Sequence, residues 1–128
     1  MSYRYIKKSL FKAVVLLVKG IDPTWIDKGV KYPKIDLHSW IENTPIDKED
    51  SVREISFIVE AYSNKSYDEA VTMADTVAQK LCNEGVEVEG AEVIAIVPDG
   101  SEEIEEQDNN NIVLYRQLNR LVVTIKTV

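Results

Sequence analysis

Residues 51–85 decide the fold, and their sequence is SVREISFIVEAYSNKSYDEAVTMADTVAQKLCNEG. The first part alternates between two faces, as a β-strand does, and one face carries Ser51, Arg53, Ile55, Phe57, Val59 and Ala61. From Ile55 onward this face is the more apolar of the two, so it is predicted to be buried.

A helix is predicted to follow the polar turn at residues 63–66. Ser66 and Glu69 have the spacing of a capping box, in which the hydroxyl and the carboxylate bond backbone N–H groups of the first turn. Gly85 ends the helix. Its apolar stripe is rich in alanine, which lets a helix lie close against a sheet: Ala70, Val71, Ala74, Val77, Ala78, Leu81 and Cys82.

Two elements are predicted before this block. Residues 2–18 form a helix whose apolar face carries Ile6, Leu10, Val14, Leu17 and Val18. Lys34–Glu42 alternates as a strand, with His38 and Trp40 on the face opposite Ile35, Leu37, Ser39 and Ile41. Residues 21–33 and 43–50 are predicted to be connections, the first of them carrying Trp25.

Two strands are predicted after the block. Glu92–Val97 is the first, and Pro98-Asp99-Gly100 is a turn signal that is expected to stop it. Ser101–Asn111 is predicted to be an exposed acidic and asparagine-rich loop. Ile112–Val128 is the long final strand. The order α-β-β-α-β-β predicts one α+β domain over residues 1–128, a mainly antiparallel four-stranded sheet with two helices packed on one face.

Charge is unevenly distributed along the chain, whose net charge is −7. Residues 1–34 hold eight Lys and Arg against two Asp and Glu, whereas the remainder holds seven against twenty. Folding can mix these charges over one surface. Alternatively, a basic element of one copy meets acidic surface on the next, and head-to-tail contacts of that kind generate rings. An acidic chain binds nucleic acid poorly, because Lys and Arg supply the affinity for phosphates.

The candidate interface residues follow from that second interpretation: Lys7, Lys8, Lys12, Trp25, Glu102, Glu103, Glu105 and Glu106. Trp25 has two interpretations, because a tryptophan in a connection either packs on its own domain or anchors an interface with a neighbour.

No catalytic, metal or cofactor site is predicted. His38 and Cys82 are the only residues of their types, and no nucleophile motif surrounds either, so both are interpreted as structural. The acidic residues 99–108 lack the ligand spacing of a calcium loop. No glycine-rich phosphate loop is present. The apolar run Ala13–Val18 is too short for an export signal or a membrane span, so a cytosolic chain with no membrane partner is expected.

The chain resembles the tail terminator, or tail-completion, family of long-tailed bacteriophages. The resemblance lies in an N-terminal helix, a strand after Pro33, the stretch REISFIVEAYSNKSYDEAVTMADTVAQKL, and the closing strand from Tyr115 to Val128. It implies a non-enzymatic ring, usually a hexamer, that caps the tail tube protein and joins the head or neck connector. DNA then passes through the lumen. The expected location is the tail-neck region of a virion, after assembly in the host cytoplasm.

Two alternatives remain open on the sequence. A head-tail connector or stopper belongs to the same class of virion proteins. A small ligand-binding regulatory domain is the other, because α+β folds with an open sheet often hold ligands between their elements.

Overall fold

The described part of the chain forms two helices, one short 3-10 turn and four strands. A computed structural model describes residues 3–26, 31–43, 52–107 and 109–127, and for residues 3–5 it describes the backbone alone. The bounds are Tyr3–Ile21 (α1), Pro23–Ile26 (3-10 turn), Lys34–Glu42 (β1), Val52–Ser63 (β2), Tyr67–Glu84 (α2), Ala91–Gln107 (β3) and Val113–Thr127 (β4). The predicted α+β class and element order are confirmed. The predicted connection at residues 44–50 and Ser51 lie outside the described residues.

All four strands form one antiparallel sheet in the order β1-β2-β4-β3. Both helices lie on the same face, which we call the helix face; the other is the open face. The predicted apolar face of β2 is the helix face, because Ile55, Phe57, Val59 and Ala61 are fully buried there. Burying each large apolar side chain contributes about 1.5–3 kcal/mol, so this layer is the main source of stability.

The start of α2 differs in one detail from a capping box. Ser66 Oγ accepts a hydrogen bond from the Glu69 N–H at 3.1 Å, as predicted. The Glu69 carboxylate, however, accepts from Ser63 Oγ at 2.7 Å, and Ser63 Oγ in turn accepts from the Ser66 N–H at 3.2 Å. The predicted direct bond from Glu69 to the cap backbone is therefore wrong, since buried Ser63 stands between the two groups.

β3 does not stop at Pro98, so the predicted turn there is wrong. The strand continues to Gln107, with one extra residue between Val93 and Ala95 and another between Pro98 and Ser101 relative to β4. β3 is an edge strand, where the lost N–H of a proline can face away from the ladder. Gly100, at φ 100°, lies in the second bulge. The stretch 101–111, which was expected to be a loop, is therefore part of the strand as far as Gln107. The exposure expected for this stretch is confirmed for Glu102, Glu103, Glu105 and Glu106.

A bulge in β1 also changes the predicted faces. Ser39 has φ 59°, and one extra residue lies between His38 and Ile41 relative to β2. Trp40 therefore turns to the helix face, where its ring stacks on Phe57 at 4.3 Å, and exposed Ile41 moves to the face that carries His38. The predicted placement of Trp40 and Ile41 is corrected accordingly.

Candidate assembly surfaces

A basic and aromatic groove lies between α1 and β1, at one edge of the sheet. Lys7, Lys8 and Phe11 line it from α1, and Leu37 and Trp40 line it from β1; its volume is about 550 Å³. The Phe11 ring meets Trp40 edge-on at 5.6 Å, yet 41% of Phe11 is exposed. We call this surface the lysine groove. It combines two positive charges with partly exposed apolar area, which is typical of surfaces that bind other proteins.

Lys12 does not join the lysine groove. It lines a separate depression with Lys8, Glu87 and Glu89, where carboxylates of the same chain lie nearby. Of the three candidate lysines, the structure therefore brings Lys7 and Lys8 together in the lysine groove, and Lys8 also shares with Lys12 the depression that Glu87 and Glu89 line.

Trp25 is half-buried and packs against the hydrophobic core from the 3-10 turn. Its backbone N–H donates to the Asp22 carbonyl at 3.2 Å, and the Asp22 carboxylate accepts from Thr24. This packing agrees with the first interpretation of Trp25. A contact of its remaining exposed surface with a neighbour stays a prediction.

The four candidate glutamates lie on β3, at the opposite edge of the sheet from the lysine groove. Because side chains alternate along a strand, Glu103 and Glu105 lie on the helix face, whereas Glu102 and Glu106 lie on the open face. Glu106 accepts a hydrogen bond from Arg116 at 3.0 Å. The acidic cluster expected from the sequence is thus divided into two pairs with different surroundings.

A second groove lies between α2 and β3 on the helix face, with a volume of about 590 Å³. Its floor carries buried Gln117 and Asn119 of β4, and its rim carries Asp75 and Glu103. We call it the amide groove. Cys82 also lines it, and partial burial raises the pKa of the Cys82 thiol, in agreement with a structural role. Tyr67 lies beyond its end, where burial and the nearby carboxylates of Glu105 and Glu103 raise the pKa of the phenol.

A directed series of hydrogen bonds crosses the floor of the amide groove. The Asp75 carboxylate accepts from Asn119 Nδ2 at 2.9 Å, so Asn119 Oδ1 is left to accept from Gln117 Nε2, also at 2.9 Å. Gln117 Oε1 then has no donor among the described residues, although Gln117 is only 4% exposed. Such an atom is rare, because a buried acceptor without a partner is destabilising.

The open face holds an ion cluster, centred on buried Glu60, that the sequence did not predict. Each strand supplies one member: His38 from β1, Glu60 from β2, Glu106 from β3 and Arg116 from β4. Glu60 is 1% exposed, its Oε1 lies 2.6 Å from His38 Nε2, and its Oε2 accepts a short hydrogen bond from Arg116 Nε. A glutamate within an apolar strand is the one sign of this cluster in the sequence. The partners of Glu60 could not be identified from it, because they come from strands that are far apart in the sequence.

Tyr62 completes this cluster. Arg116 lies over its ring at 5.3 Å, and Lys34 lies over it at 4.9 Å. Burial and the negative charge of Glu60 raise the pKa of Tyr62 to about 12. The hydrogen bond to Glu60 raises the pKa of Arg116. We infer a structural role for the cluster, because it joins all four strands on the face that the helices leave open.

Within the described ranges, no group of three or more His, Cys, Asp or Glu side chains could hold a metal ion. Among the helices described, neither is long and apolar enough to cross a membrane.

The chain shares its fold with a chain of a native gene transfer agent (GTA) virion. The two are 12% identical, the likeness covers 98% of this chain and 99% of that chain, and the TM-score is 0.68. No protein-family model and no curated protein sequence matches this chain. At this identity the likeness shows the fold alone, and it extends over nearly the whole length of both chains.

Proposed function

We propose that this chain is a structural virion protein, and specifically a tail terminator that forms a homo-oligomeric ring, a hexamer, on the end of a phage tail tube. The observation that carries the proposal is the whole-length likeness to a chain of a GTA virion. The resemblance of residues 54–70 and 115–128 to the tail terminator family supports the same role.

In this role the ring binds the last tail tube subunits, stops their polymerisation and offers a surface to a head or neck connector protein. DNA passes through the lumen and is not held there, in accordance with the net charge of −7. The protein acts in the tail-neck region of the virion after assembly in the host cytoplasm. The role requires no catalysis, no cofactor and no membrane.

The placement of charge supports a ring over a two-fold dimer. The lysine groove lies at the β1 edge, and Glu103 and Glu105 lie at the β3 edge on the same face of the sheet. When complementary surfaces lie at opposite edges, copies associate head to tail, and such contacts form a ring where the rotation between neighbours closes.

Mass photometry of the purified protein tests this proposal. One copy has a mass of 14.5 kDa, so a hexamer of six copies is expected near 87 kDa, alone or after addition of tail tubes. A protein that stays monomeric at every concentration and never associates with tubes would contradict it.

The fold likeness to a virion chain also fits a head-tail connector. Cryo-electron microscopy of assembled particles separates the two roles, because a terminator contacts the tail tube directly, whereas a connector lies on the head side of it.

A further inference from the structure

The helix layer does not cover the sheet completely. α2 packs mainly on β2 and β4, and Phe11 of α1 packs on Trp40 of β1. α2 touches β3 only in part, and the amide groove lies between α2 and the far half of β3, residues 98–107, so within the described residues this part of the helix face is incompletely covered. A further helix beside α2 would complete the layer.

The uncovered surface is acidic and rich in hydrogen-bond acceptors. Asp75 and Glu103 border the amide groove, Gln117 Oε1 is buried there without a donor, and Glu105 follows on the same face of β3. No Lys or Arg is among the described residues that line the groove. Its walls include Val71, Ala78 and Leu121, so it fits an occupant with both positive charge and apolar area.

The lysine groove has these complementary properties. Lys7 and Lys8 supply positive charge, and partly exposed Phe11 supplies apolar area on the same side of α1. Because α1 lies on the helix face at the β1 edge, it would come to lie beside α2 of a second copy if the β1 edge approached the β3 edge of that copy.

We propose that the lysine groove of one copy docks on the helix face of β3 in a second copy, with Lys7 and Lys8 opposite Glu103 and Glu105. This contact rests on the proposed ring and names the surfaces that build it. Glu102 and Glu106 take no part, because they lie on the open face, and Glu106 already binds Arg116.

Two charge-reversed variants test the contact: Lys7→Glu with Lys8→Glu, and Glu103→Lys with Glu105→Lys. Placing like charges opposite each other costs several kcal/mol, so each variant alone should need about 100-fold more protein to assemble at low salt. High salt should reduce the difference, because it screens exposed charges. The matched controls are Glu102→Lys, on the other face of β3, and Lys19→Glu, at the far end of α1; both should assemble as the wild type does.

Mixing the two variants gives the sharpest outcome. Within either variant the contact places like charges together, but at every contact between the two variants the charges are opposite again, so an equal mixture should restore rings in which the two variants alternate. Circular dichroism checks that the variants are folded. Rings at wild-type concentrations from either variant, or an equal loss in Glu102→Lys, would overturn this contact and leave the proposed ring standing. A wild-type chain that never assembles would overturn the proposed function and this contact together.

Discussion

Arg116 donates a hydrogen bond from Nε to the carboxylate of Glu60, which is 1% exposed on the sheet face opposite both described helices. A charge buried to this degree is stable only with a partner, because removal from water costs several kcal/mol. The pair joins the two central strands, and His38 and Glu106 extend it to both edge strands. These side-chain bonds thereby link all four strands across the open face.

Replacing Arg116 should therefore destabilise the fold strongly. Arg116→Met leaves the Glu60 carboxylate buried without its main partner, and the expected loss is about 3–5 kcal/mol in the free energy of unfolding. Urea unfolding at pH 7 measures it. Arg120→Met is the control, because Arg120 lies on the same face of β4 and makes no ion pair within the described ranges; its loss should stay below about 1 kcal/mol. Equal losses in the two variants would show that Glu60 does not depend on Arg116.

The phenol of Tyr62 should ionise near pH 12, above the usual value of 10. The folded chain holds this proton more tightly than the unfolded chain, so the stabilisation is complete below pH 10 and is lost as the pH rises toward 12. Subtracting the ultraviolet titration curve of Tyr62→Phe from that of the wild type isolates the ionisation of Tyr62 from that of the other tyrosines, of which the chain has six in all. Glu60→Gln should lower the pKa of Tyr62, since it removes a nearby negative charge; an unchanged titration would contradict this cause.

Ser63 should contribute more to stability than the N-cap residue Ser66. Ser63 Oγ is buried, accepts from the backbone N–H groups of Lys65 and Ser66, and donates to Glu69. Ser66 Oγ accepts only one such bond from the backbone. We expect a loss of about 1 kcal/mol for Ser66→Ala and about 2 kcal/mol for Ser63→Ala, measured by thermal or urea unfolding. Exposed Ser101→Ala is the control, and the reverse order would contradict the hydrogen-bond pattern.

Ala74 lies on the buried stripe of α2, between the helix and the sheet. It is fully buried, and Ala74→Glu places an unpaired charge between helix and sheet, at a cost of several kcal/mol. We expect the variant to be unfolded or unable to assemble, as seen by circular dichroism and mass photometry. Thr72→Glu adds the same charge at an exposed position of α2 that does not line the amide groove, and it should behave as the wild type does. A stable Ala74→Glu variant would mean that this stripe faces solvent.

The block from β2 to α2 could be predicted because its signals are local. Alternation from Ile55 to Ala61, the Ser66 cap and the glycine stop at Gly85 each act within a few residues. The continuation of β3 past Pro98 could not be predicted. A strand accommodates a proline at the edge of a sheet, and only the folded sheet shows that β3 is an edge strand. The turn of Trp40 to the helix face depends on a bulge at Ser39, and serine carries no signal for positive φ.

The candidate surfaces were predicted only as sets of charges. Once β3 is known to continue to Gln107, the alternation of side chains places Glu103 and Glu105 on one face of the sheet and Glu102 and Glu106 on the other. The amide groove and the Glu60 cluster could not be predicted, because their side chains come from elements that are far apart in the sequence.

Cryo-electron microscopy of tail tubes assembled with this protein tests whether it is a tail terminator. We predict one ring of this chain at a tube end, with no tube subunits beyond it. Tubes that grow past the protein, or that carry it along their sides and never at an end, would contradict the proposal that it is a tail terminator.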